Sequence, residues 1–255
     1  MKIFMLCAAM LLLACSLPVH AADTREQTFV VGADVNALGE VTQTQPEANV
    51  SKPIAAALNL ALKRWQFVPA QQDGKAVPAH TFIEAKLEAT PDDSGKYSLR
   101  ISYIRHGPTW DRHLQPGYPA DAVRNHETGV IVVKGDLQPD GKIVVTDTLG
   151  ALEGGNGGSL LKKAAKDWFL HHNVVPETVE GRPVAARISV WITFRLGELG
   201  SSPKKPWEDV PYSAKEKELL HQAGFKDSDI NTKIGSPVIS SVLQARMVNP
   251  VTMHL

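Results

Sequence analysis

The sequence predicts an α+β fold made of two tandem small modules, each a short antiparallel sheet with one packed helix. Three observations carry this expectation. The chain matches itself when displaced by about a hundred residues, the mark of an internal repeat. Both copies hold strands whose apolar residues alternate, and both hold one helix whose apolar residues recur at i, i+3, i+4 and i+7.

The elements follow in the same order in each copy. Val30-Val31-Gly32-Ala33-Asp34-Val35 matches Val132-Val133-Lys134-Gly135-Asp136-Leu137. Phe29, Val31, Ala33 and Val35, and likewise Ile131, Val133, Gly135 and Leu137, form the apolar side of a strand. A turn comes next, with Gly39 in the first copy and Gly141 in the second supplying the positive φ that a tight hairpin needs. Return strands are expected over 41–44 and 143–147. Ser51 and Ser159 are the expected caps of the two helices, with Pro53 tolerated in the first turn. The stripe Leu58, Ala61, Leu62, Trp65 recurs as Leu161, Ala164, Ala165, Trp168. Trp65 and Trp168 are therefore expected to close each helix on its sheet as core residues. Each copy ends in a glycine turn, Asp73-Gly74 or Glu180-Gly181, and a last strand in which Ile83, Ala85 and Leu87 align with Val190, Ile192 and Phe194. The second copy has a short insertion around His171-His172-Asn173. A further strand, 97–105, is expected to extend the first sheet.

The first residues carry an export signal. Lys2 precedes an apolar run over 3–13, Pro18 breaks it, and Val19-His20-Ala21 places small residues for cleavage before Ala22. The run is shorter than the roughly 18–20 residues of a spanning helix. A second fate is open, because Leu12-Leu13-Ala14-Cys15 resembles a lipobox. Periplasmic location is expected, with membrane attachment only through a lipidated Cys15 or an uncleaved leader. Both cysteines, Cys7 and Cys15, lie in the leader, so cleavage after Ala21 leaves no thiol for a disulfide or a Cys-zinc site. With 27 basic and 27 acidic residues, the chain has no charge excess suited to nucleic acid or a polybasic membrane contact.

The residues that carry a family resemblance are concentrated in the second copy. They are Gln115-Pro116-Gly117-Tyr118-Pro119 with Ala120 and Ala122, then Gly129-Val130, Asp136, Asp140-Gly141, the helix from Leu161 to Trp168, Pro176 and Gly181. Over about 115–197 this pattern resembles the C-terminal domain of TonB, the periplasmic end of an energy transducer. The first copy, about 28–89, keeps the core positions and Trp65-Gln66-Phe67-Val68-Pro69-Ala70 but not the Gln-Pro-x-Tyr-Pro segment. The resemblance implies an exposed sheet edge that pairs with an extended peptide of an outer-membrane transporter or other envelope protein. It also implies that Gln115, Pro116, Tyr118 and Pro119 are the partner contacts. The same residues allow a plainer reading, in which the prolines stiffen the connection and Tyr118 packs on the sheet. A transducer of that family needs a spanning anchor and a long Pro-rich spacer. Here only about ten residues separate the expected 97–105 strand from the second copy, too few to span an envelope at ~3.4 Å each.

This reading divides the chain into a signal peptide (1–21), a degenerate first module (22–107), a second module (108–197) and a partly helical tail (198–255). Within the tail, 197–206 reads as a linker, and Ser213-Ala214-Lys215-Glu216 reads as a capping box opening a helix that stops at Gly224. Trp207 and Tyr212 are expected to dock the tail, which could also cover a sheet edge, and a second helix is expected over 238–248. No enzyme and no cofactor is expected. His106, His113, His171 and His172 lack the converging ligand set of a zinc site and read as surface or linker residues. Asp34 and Asp136 sit at matched repeat positions and are expected to satisfy the adjacent turns. A second function class stays open, in which the modules pair with each other or form a homodimer through their sheet edges.

Overall fold

The structure is a computed structural model and describes residues 24–91, 96–110, 116–155, 158–171, 173–196, 211–230 and 238–254. The leader with Cys7 and Cys15, Gln115, His113, His172, Trp207 and the expected linker lie outside these residues.

In the first half, β1 (Arg25–Val35) and β2 (Val41–Pro46) form a hairpin, followed by α1 (Lys52–Leu62). Short strands β3 (Gln66–Val68), β4 (Ala70–Gln72) and β5 (Lys75–Val77) lead to β6 (Ala79–Pro91) and β7 (Tyr97–Gly107). After β8 (Thr109–Trp110) and α2 (Ala120–Arg124), the second half repeats the order. It has β9 (Thr128–Leu137), β10 (Ile143–Glu153), α3 (Ser159–Leu170), β11 (Val174–Val175), β12 (Thr178–Val179), β13 (Arg182–Pro183) and β14 (Ala186–Phe194). The tail supplies α4 (Ala214–Gln222), α5 (Asp227–Ile230), β15 (Val238–Ile239), β16 (Gln244–Met247) and β17 (Val251–His254). The molecule is thus α+β, with sheets dominant and few helices.

The halves share topology and register. In each, the first strand is central, with its hairpin partner on one side and the last long strand on the other. Val35 faces Ala79 and Val41, as Leu137 faces Ala186 and Ile143. The turns bond alike: Gly39 N–H donates to Asn36 O and Gly141 N–H to Gln138 O, both at 2.9 Å. Both glycines hold φ of 83°. A Cβ on Gly39 would lie 1.8 Å from the Phe67 carbonyl oxygen, so the close approach as well as the backbone demands glycine there. The side chains that serve these turns are not those expected. Asn36 Oδ1 accepts from the Leu38 and Glu40 amides, and Asp140 Oδ1 from Lys142 N–H. Asp34 instead pairs across the sheet with His80 Nδ1 at 2.6 Å.

Alternation buries one strand face as expected: Val31, Ala33 and Val35 in one core and Ile131, Val133 and Leu137 in the other are all within 1 % of full burial. Leu58, Ala61, Leu62 and Trp65 complete the first core. In α3 the buried line is Leu161, Ala165 and Phe169, while Ala164 and Trp168 are half-buried beside it. Trp168 packs edge-on against Trp110, ring centroids 5.8 Å apart. The burial centre thus moves one position past the expected tryptophan. Ser51 occupies the cap position of α1 without a side-chain hydrogen bond, and α3 is preceded by a left-handed Gly158, so Ser159 does not cap it.

The tail departs most from expectation. The capping box is present in full at Ser213 and Glu216, and α4 follows. It lies on a sheet face rather than an edge: Leu220, Phe225 and Ile230 bury Val130, Val132 and Trp191. The expected helix over 238–248 is replaced by strands. β15 pairs with β14, β16 with β3 and β17 with β7. Isolated apolar residues in this stretch find their partners in distant sheets, and those long-range pairings override a weak local helix pattern. Leu243 and Val251 enter the first core, which also takes Val179 from the second half. The Trp65 indole N–H donates to Asn249 O at 2.8 Å.

Candidate protein-interaction site

The last strand of the second half brings the predicted contact segment and a sheet edge together. β14 has β9 along its whole length on one side, from Ala186 to Phe194. On the other side β15 pairs only with Ile188 and Ser189. Among the described residues, no strand lies beside 190–194. Such an edge presents backbone donors and acceptors to an incoming strand.

Two tyrosines flank this stretch, one on each face of the sheet. Tyr118 packs edge-on against Phe194, centroids 5.2 Å apart, and its hydroxyl donates to the Glu127 carbonyl oxygen. Burial first, and then the nearby Glu127, raise the Tyr118 hydroxyl above its ordinary pKa, with Arg195 partly opposing, so it stays a donor. On the other face Tyr212 OH accepts from the Trp191 indole at 3.1 Å and lies 3.3 Å from Thr193 Oγ1. Arg195, next in the chain after β14, is clamped by Glu216 through bonds of 2.6 and 2.8 Å. Burial alone would raise the Glu216 carboxyl, but the Arg195 bonds and Ser213 N–H outweigh it and hold the pKa below the ordinary value.

Of the predicted contacts, Pro116, Tyr118 and Pro119 are half-buried, while Gln115 is outside the described residues. Pro119 is the N-cap of α2, with an extended backbone. Tyr118 packs on the sheet, between Phe194 at the end of β14 and the Glu127 carbonyl just before β9.

Several residues were not singled out from sequence. Glu177 is 1 % exposed and joins three parts of the chain. Its carboxyl oxygens accept from Thr81 Oγ1 in the first half at 2.6 Å, and from Ser241 Oγ at 2.7 Å and Val242 N–H at 2.9 Å in the tail. Nothing in the local sequence pattern around it marks this role. Glu216 was read only as a cap, yet it also binds Arg195. The apolar residues Val130, Val132 and Trp191 on the second face of the sheet were the signal that something covers it.

Among the described residues, the histidines do not converge. His106 is not a linker residue; it is packed under the tail, with Tyr103 OH donating to Nδ1 at 2.6 Å and Nε2–H donating to Leu243 O at 3.1 Å. His171 ends α3. Among the described residues no three His, Cys, Asp or Glu side chains gather as metal ligands, and no helix is long and apolar enough to cross a membrane.

The second half is an α+β domain whose Pro116-Gly117-Tyr118-Pro119 segment packs, through Tyr118, on Phe194 of β14. Residues 114–196 match the family described as Gram-negative bacterial TonB protein C-terminal, which supports that family for this segment. The family is a periplasmic, non-enzymatic energy-transduction and protein-interaction domain that works with envelope proteins such as outer-membrane transporters. No curated protein and no solved structure matches the chain.

Proposed function

We propose that the protein is an exported, periplasmic TonB-like binding protein that takes an extended segment of an outer-membrane transporter or other envelope protein by strand addition at β14. The observations that support this reading are that β15 pairs with only two residues of β14 and that, among the described residues, no strand lies beside 190–194, where Tyr118 packs against Phe194. Backbone bonds to the edge would supply affinity, and the side chains beside it selectivity. In this reading Gln115, Pro116, Tyr118 and Pro119 line the approach, and the work is binding rather than catalysis. Its link to TonB-dependent transport is as a binding module, since the short connection between the halves cannot act as an envelope-spanning arm.

We further propose that the first half is a degenerate copy of the same module. The shared register and the matched turns support this: Asp73-Gly74 and Glu180-Gly181 both place two successive residues at positive φ. A tail strand, β17, lies on the first half's β7 edge, which leaves the second half as the binding copy.

Adding a pool of extended apolar peptides to the isotope-labelled mature protein, while following backbone amide shifts, tests the reading. Shifts confined to 190–194 and 116–119 are expected. No shifts, together with a concentration-dependent dimer, would establish the structural alternative in its place.

A further inference from the structure

We propose that residues 238–240 of the tail are an internal competitor for the β14 edge, displaced when a partner segment pairs along the full strand. This rests on the strand-addition reading of β14 and adds its regulation.

The tail already performs the pairing that a partner would perform. Ile239 faces Ile188 and Val238 faces Ser189 in antiparallel register. Beyond that pair, Ser240 N–H donates to Arg187 O at 2.9 Å, and Arg187 N–H donates to Ser240 Oγ at 2.8 Å. The edge groups of 187–189 are therefore taken, while those of 190–194 have no described strand beside them. A segment matching all nine residues of β14 needs the groups that 238–240 now hold.

The described parts of the tail are held unevenly, and the pairing at this edge is a light one. On one side of β15, Leu220, Phe225 and Ile230 are 5 % exposed or less against the second sheet. On the other side, Ser241 and Val242 are held by the buried Glu177, and Leu243 is 3 % exposed in the first core. Between these anchors Val238 is 40 % exposed and Ile239 is only partly buried. Lifting 238–240 breaks a two-residue ladder and leaves both anchors in place. Segments with few buried contacts between stable flanks are those that open locally. A competitor tethered at both ends also returns quickly, so it rejects weak segments and yields to well-matched ones. An edge that is open only part of the time binds with its intrinsic affinity multiplied by the open fraction.

The probe is a synthetic peptide with this chain's own sequence 236–242, added to the full mature protein. Two variants open the edge by different means. Ser240→Pro removes the N–H given to Arg187, and Ile239→Lys removes the apolar contact. The inference expects both variants to bind the peptide at least about tenfold more tightly than wild type, with amide shifts along 187–194. Equal affinity for all three proteins, with shifts on β14, would overturn the competitor and leave the strand-accepting edge intact. Absence of binding to folded variants would refute the edge itself. Amide exchange in the unaltered protein gives a separate check should the variants fail to fold. Ser240 is expected to exchange much faster than Val242, and equal protection of the two would overturn the proposal.

Discussion

Removing the carboxyl group of Glu177 should loosen the whole molecule, because that one side chain bonds to the first half and to the tail at once. In Glu177→Ala the Thr81 hydroxyl, the Ser241 hydroxyl and the Val242 amide all lose their acceptor. Thr81 is fully buried, so water cannot replace the bond there. Ser241 is half-buried and can recover part of its loss from solvent. A buried donor left unsatisfied costs about 1–3 kcal/mol. Counting Thr81 in full and the half-buried Ser241 and Val242 in part, the expected loss is about 2–3 kcal/mol, a large share of a typical domain's stability. Glu177→Gln keeps the volume and one oxygen acceptor but turns an amide N–H₂ toward donors, so about 1–2 kcal/mol should be lost. Urea unfolding with linear extrapolation measures both, and the Val242 amide should lose exchange protection in parallel. An alanine variant within ~1 kcal/mol of wild type would refute the claim that Glu177 ties the three parts together.

Other consequences can be measured in the same way. His106 is held below its ordinary pKa of 6.5 chiefly by burial, with the Leu243 carbonyl and Glu177 opposing. Its neutral ring is bonded to Tyr103 and Leu243 and faces Phe67. The unfolded chain therefore takes up a proton first as pH falls below about 6.5, so urea midpoints should drop between neutral pH and pH ~5.5. His106→Gln should flatten that drop. Arg195→Ala leaves Glu216 buried without its cation and should cost about 3 kcal/mol, with a change in Trp191 fluorescence as α4 loosens over it. Gly39→Ala meets both a positive φ and the Phe67 carbonyl, whereas Gly74→Ala meets open space. Thermal unfolding should therefore show a clearly larger loss for Gly39, and equal losses would contradict the close approach at that turn.

The parts of the fold legible in the sequence are those set by local pattern. Alternation marks Val31, Ala33 and Val35 because one face of a strand is buried, and the Gly39 and Gly141 turns stand out because few residues tolerate that backbone. The Ser213–Glu216 box was readable for the same reason, since its four residues satisfy each other locally. The stretch 238–248 was not, because its strands exist only through partners more than a hundred residues away in β3 and β7 or across the second sheet in β14. Glu177 was equally hidden, as its partners come from two other parts of the chain. At the candidate site, Tyr118 and Pro119 were visible as a motif. What the motif could not show is that the tail already holds residues 187–189 of the neighbouring edge.

The strand-accepting edge is tested most directly by backbone proton contacts between a bound peptide and the protein. Antiparallel pairing places backbone protons of opposed residues within short range of one another. The account predicts nuclear Overhauser contacts from the peptide backbone to residues 190–194 of β14, with Tyr118 ring protons near the peptide's end. Contacts to β2 or β10 instead, or to a second copy of the chain with no peptide bound, would contradict it.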